Sequence, residues 1–140
     1  MPPRTKNKNM ANPSEITVTE CTANGAINQP AVVTLDTAGT VPINLSGKGL
    51  DRVIIEAINT DDAAATLTFV AGDNPPSLQS KALAVTLAAS GTATDKRLIG
   101  PFEASRFLQN GSDAGEMHVT LAGGASPTVT LRVYRLPKFV

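Results

Sequence analysis

The sequence predicts an all-β protein: a single-domain β-sandwich or jelly roll of about eight to nine mostly antiparallel strands. Three observations lead there. Apolar and polar residues alternate with a period of two in segment after segment. Turn signals rich in Gly, Asn, Asp and Pro recur about every ten residues. Thr and Val, which suit a pleated and half-buried surface, are abundant, and no helix of any length is visible. The 140 residues are the size of one domain and can bury a core without disulfides.

Residues 1–14 carry Arg4, Lys6 and Lys8 among prolines and asparagines. So little there can be buried that an extended or disordered arm is expected, followed by the β domain at 15–140. ITVTECT (16–22) alternates Ile16 and Val18 with Thr17 and Thr19, as one strand does. AVVTLD (31–36) is a short strand after Pro30, and TAGTVPINLSGKG (37–49) is a loop or a short edge strand. LDRVIIEAIN (50–59) is nearly all apolar in its middle, which predicts a central strand covered on both faces. ATLTFV (65–70) places Leu67 and Phe69 on one face, and LAVTLA (83–88) places Leu83, Val85 and Leu87 on one face. KRLIG and ASRFLQN give two short strands around Gly100 and Pro101. EMHVTLA (116–122) turns Met117, Val119 and Leu121 inward and His118 outward. PTVTLRVYRL (127–136) turns Val129, Leu131 and Val133 inward, with Thr130, Arg132 and Tyr134 outward.

Charged residues make up only 17% of the chain, below the usual quarter or so. Thr, Ala, Ser, Asn and Gly take their place, a surface suited to close contact with another protein. The net charge is zero but unevenly spread. The arm holds only bases, and residues 117–140 hold Arg132, Arg135 and Lys138 and no acid; all twelve acids lie between Glu15 and Glu116. Basic ends on an acidic body can dock on acidic surfaces, including those of a neighbouring copy. Aromatics are 4% and no long basic run exists, so nucleic acid is not an expected partner. No apolar run is long enough to cross a membrane as a helix, and no signal peptide is expected behind MPPRTKNKNM.

Sites of chemistry are sparse. Cys21 is the only cysteine, which excludes an internal disulfide or a zinc site of several thiolates. His118 is the only histidine and lacks a neighbouring nucleophile and orienting acid, so it reads as an exposed strand residue. Asp61 and Asp62 in INTDDAAAT could bind calcium, but three alanines follow where further oxygens are needed; a hairpin turn is expected. SGKGL (46–50) fails as a phosphate loop because Pro42 stands where the first Gly belongs. No catalytic residue, cofactor or metal ligand is expected, and no enzyme activity.

AGDNPPSLQS (71–80) is different. Asp73 and Asn74 start a turn, and Pro75 and Pro76 stiffen it while forbidding ladder hydrogen bonds. A rigid projecting loop loses little entropy on binding. The expected contact residues are therefore Gly72, Asp73, Asn74, Pro75 and Pro76 in this loop. The arm adds Arg4, Lys6 and Lys8, and the C-terminal stretch adds Tyr134, Arg135, Lys138 and Phe139.

Three segments, LDRVIIEAINTDDAAATLTFVAGDNPPSL (50–78), LIGPFEASRFLQNGS (98–112) and TVTLRVYRLP (128–137), resemble the cementing or decoration proteins of tailed-phage heads. The resemblance covers most of residues 50–137. It implies a sandwich or jelly roll on the outer capsid surface of a virion, made in the host cytoplasm. It also implies the major capsid protein as partner, with neighbouring subunits cemented against the pressure of packed DNA. Self-association as a homodimer is expected ahead of a homotrimer. Two other readings stand beside it. One is a phage head-fibre or tail component that mediates attachment. The other is a carbohydrate-binding module, which the absence of Trp and the single Tyr disfavour.

Overall fold

The computed structural model describes residues 12–73 and 82–138. Ten strands occur among them: β1 (Ile16–Thr17), β2 (Thr19–Glu20), β3 (Val33–Leu35), β4 (Gly39–Asn44), β5 (Val53–Asn59), β6 (Ala65–Phe69), β7 (Leu83–Leu87), β8 (Lys96–Ile99), β9 (Glu116–Gly123) and β10 (Val129–Arg135). One α-helical turn, α1 (Ala104–Phe107), and one 3-10 turn (Gly111–Asp113) lie between β8 and β9. The strands form an all-β sandwich. The first sheet has the order β1-β4-β9-β6-β7; the second has β2-β10-β5-β8, with β3 also paired to β10. Two pairings are parallel, β1 with β4 and β2 with β10, and the others are antiparallel.

The period of two builds the core. Val41, Ile43, Leu67, Phe69, Leu87, Met117, Val119 and Leu121 point inward from the first sheet. Leu35, Val53, Ile55, Ile99, Val129, Leu131 and Val133 meet them from the second. Each such side chain stabilises the fold by about 1.5–3 kcal/mol. A slip of one residue in any ladder would turn that set outward, so the register is strongly specified. Phe69, Phe102 and Phe107 close one end of the core, with ring centroids 5.1 and 5.5 Å apart in sequence along the trio.

Several elements depart from expectation. ITVTECT is two strands, because the chain steps from the first sheet to the second at Val18. Residues 39–44 form a full strand lying between β1 and β9 rather than a loop or sheet edge. Pro42 is tolerated there because its missing N–H faces away from its β9 partner His118, while β1 pairs only with Ile43 and Asn44. β5 is central, as expected, but buried on one face only; Ile54, Glu56 and Ile58 are half-buried on the other. ASRFLQN holds a helical turn instead of a strand: the Arg106 and Phe107 amides donate to the Glu103 carbonyl, and Phe107 swings onto Phe102. Residues 60–64 are not a hairpin, because β5 and β6 belong to different sheets.

Buried polar side chains fasten the two ends of the β5–β10 ladder. Asn59 pairs with Val129 at one end, and Arg135 pairs with Val53 at the other. The Asn59 amide donates to the carbonyls of Ala63 and Ala88 at 2.8 and 2.9 Å and accepts the Asp61 N–H at 2.9 Å. This holds the arch between the sheets against the end of β7. Arg135 is 1% exposed. Its guanidinium donates to the carbonyls of Gly49 and Leu45, at 3.1 and 2.8 Å, and to the Glu20 carboxylate.

Candidate partner-binding face

Outward positions of the second sheet line up in rows across its strands. One row runs Arg132, Glu56, Leu98; a second runs Thr34, Thr130, Ile58, Lys96; a third runs Thr19, Tyr134, Ile54. The Arg132 guanidinium bonds the Glu56 carboxylate at 3.1 Å and the Pro30 carbonyl at 3.0 Å, so the central charge is already held in one geometry. Around it exposed apolar side chains stand among threonines and Lys96. Leu98 is 75% exposed, Val32 just before β3 is 41% exposed, and Leu136 just after β10 is 44% exposed. These are the exposed large hydrophobics among the described residues, and all three belong to this sheet or its flanks. A shallow hollow of about 230 Å³ is lined by Glu56, Ile58, Lys96, Arg97 and Leu98 along the free β8 edge.

The outer face of the first sheet has another character. Thr40 and Thr120 share a hydroxyl hydrogen bond at 2.8 Å, and Thr66 and Thr86 share one at 3.4 Å. Cross-strand threonine pairs of this kind support the sheet and leave few apolar atoms for a partner.

The expected contact residues separate into three groups. Arg4, Lys6, Lys8, Asn74, Pro75, Pro76 and Phe139 lie outside the described residues. Tyr134 lies on the second sheet's outer face, and Lys138 is exposed just beyond it. Arg135 and Gly72 are corrected. Arg135 is buried, with its donors engaged by backbone carbonyls and Glu20. Gly72 is buried against α1: its N–H donates to the Arg106 carbonyl at 2.7 Å, and a Cβ there would fall on the Leu108 carbonyl oxygen. Asp73 is exposed, and its carboxylate accepts the Asn110 N–H at 3.2 Å. Gly72→Ala is expected to cost about 1–3 kcal/mol through this overlap. Circular dichroism should register a lower melting midpoint; an unchanged midpoint would mean that the Gly72 backbone shifts off Leu108 without cost.

No family model, curated protein or solved structure matches the chain.

Leu98, Ile54 and Ile58 escaped the sequence reading. For Ile54 and Ile58 the signal lies in VIIEAI, which has more apolar residues than one buried face needs. The surplus was assigned to a second covered face, whereas it forms the outer surface. His118 was also misread as lacking a local acid. Glu116 stands two residues earlier on the same strand face, with its Oε2 3.1 Å from His118 Nε2. Asp113, from the turn before β9, brings a third ligand-type atom, and the three lie within 4.8 Å of one another. The three ligand atoms could hold a metal ion.

Proposed function

We propose that this protein is a structural binding module that attaches to another protein through the outer face of its second sheet. The observation that carries the reading is that Leu98, Val32 and Leu136, the exposed large hydrophobics among the described residues, all lie on that sheet or its flanks. Tyr134 and Arg132 stand among them, the residue types that dominate binding energy in protein interfaces. The Arg132–Glu56 pair is preformed, so little side-chain entropy remains to be lost there on docking. Lys96 and Arg97 on the rim favour an acidic surface opposite.

The resemblance to cementing proteins supplies the partner in this proposal: the major capsid protein of a tailed-phage head, bound from outside across joints between subunits. Each joint needs only a few kcal/mol, because many copies act on one shell. Two copies would associate along β7, the first sheet's edge, whose residues Leu83–Leu87 carry no charge. Lys96 and Arg97 oppose self-pairing at the β8 edge.

Co-sedimentation with heads that lack the protein tests the reading. Saturable binding at a fixed ratio to capsid protein is expected. Leu98→Asp should weaken it at least about tenfold, which is 1.4 kcal/mol or more. Its melting midpoint should stay at the wild-type value, because the side chain is mostly in water. Absence of binding to heads would shift the assignment to a head-fibre or tail component, and saturable binding to glycans would shift it to a carbohydrate-binding module.

A further inference from the structure

We infer that Asp113, Glu116 and His118 form a binding site for one divalent transition-metal ion of the zinc class, on the outer face of the first sheet. Glu116 and His118 are successive outward positions of β9, which is hydrogen-bonded to β4 on one side and β6 on the other. The surrounding backbone is tied down as well. The Glu116 carbonyl accepts the Gln109 N–H at 2.9 Å, the Gly115 carbonyl accepts the Leu45 N–H at 3.0 Å, and the His118 carbonyl accepts the Val70 N–H at 3.0 Å. Two ligands thus stand on rigid strand. Asp113 arrives from a tight turn bracketed by Gly111 and Gly115, whose φ values of 67° and 84° favour glycine.

The distances suit one ion. Zinc bonds to imidazole nitrogen and carboxylate oxygen are about 2.0–2.2 Å, so two ligand atoms on one ion stand about 3–4 Å apart. Glu116 Oε2 and His118 Nε2 already meet that spacing at 3.1 Å. The widest separation in the group, within 4.8 Å, closes by rotation of the exposed Asp113 side chain.

Charge points the same way. A plain histidine–glutamate pair has no need of a second carboxylate, and gathering two carboxylates without a cation is unfavourable. Among the described residues no lysine or arginine pairs with Asp113 or Glu116. Glu15, just before β1, adds to the negative field from beyond β4: the Asn44 amide donates to it at 3.3 Å, and Asn44 lies opposite Glu116. The chemistry of the ligand set selects the ion. A neutral imidazole with two carboxylates fits zinc and its neighbours, whereas magnesium and calcium prefer oxygen throughout. Water would complete the coordination on the solvent side.

Zinc chloride titrated calorimetrically into the full chain, in a non-chelating buffer, tests the site. One saturable event near one ion per chain is expected. His118→Gln, Glu116→Gln and Asp113→Asn should each weaken it at least about tenfold. Magnesium and calcium should give no comparable heat. Asp113 is exposed in a turn, so its variant reports on ligation even where a strand variant folds poorly. Asp62→Asn and Cys21→Ser, at other sites, should bind as the wild type does. Absence of saturable zinc binding would overturn the inference. So would wild-type binding by Asp113→Asn and His118→Gln, or loss of binding in Cys21→Ser.

Discussion

Replacing Arg135 with methionine is expected to lower stability by about 2–4 kcal/mol, a fall in melting midpoint of roughly 10 °C for a domain of this size. Methionine fills much of the volume, so the loss comes from the polar contacts. The guanidinium ties the end of β10 to Leu45 and Gly49 in the β4–β5 loop, and both are charge-assisted bonds to carbonyls. Leu45 retains the Lys48 N–H on its carbonyl, so the loss falls mainly on the arginine's own bonds and on the Gly49 carbonyl. The ion pair with Glu20 contributes less. The Glu20 side chain is 45% exposed, and pairs this open to water are worth under about 1 kcal/mol. Glu20→Gln should therefore cost much less than Arg135→Met in urea denaturation. Equal costs for the two variants would show that the carbonyl contacts contribute nothing and that the ion pair is the fastening.

Asn59→Leu is expected to cost about 3–4 kcal/mol at the opposite end of the same ladder. Four hydrogen bonds disappear: those donated to the Ala63, Leu87 and Ala88 carbonyls and the one accepted from the Asp61 amide. Leucine adds apolar surface, but it takes a donor from the buried Leu87 carbonyl and the part-buried carbonyls of Ala63 and Ala88, and that penalty exceeds the gain. The arch joins β5 of one sheet to β6 of the other, so its loosening affects the contact between the sheets and not only a turn. Thermal unfolding should show a single transition roughly 10 °C lower. A midpoint within a degree or two of wild type would mean that water replaces the amide without cost and that the arch is held elsewhere.

Local periodicity carried much of the fold, and its failures have local causes. The inward faces of β6, β9 and β10 were legible because each strand buries one face and wets the other. β5 was placed centrally, but its outward isoleucines imitated a strand covered twice. β4 was missed because proline in a strand ordinarily signals an edge or a loop, and the vacancy beside β1 that accommodates it exists only after distant strands assemble. Pairing order was beyond reach for the same reason, since β10 joins β5 and β4 joins β9 across long stretches of chain.

The sites divide along the same line. Arg135 read as a surface residue because charges are seldom buried; the Leu45 carbonyl that holds it lies 90 residues away. The group of Asp113, Glu116 and His118 was within reach, because a period of two puts Glu116 and His118 on one face and a short turn precedes them. Leu98 stood in KRLIG, next to two bases, where only the position of β8 at a sheet edge reveals its exposure.

Electron cryomicroscopy of phage heads reconstituted with the full chain tests the central proposal most directly. The account predicts added density on the outer shell that fits the two-sheet body, with the second sheet's outer face toward the capsid and Leu98, Tyr134 and Arg132 at the contact. Bare heads at saturating protein, or a body seated on its threonine-lined first sheet, would contradict it.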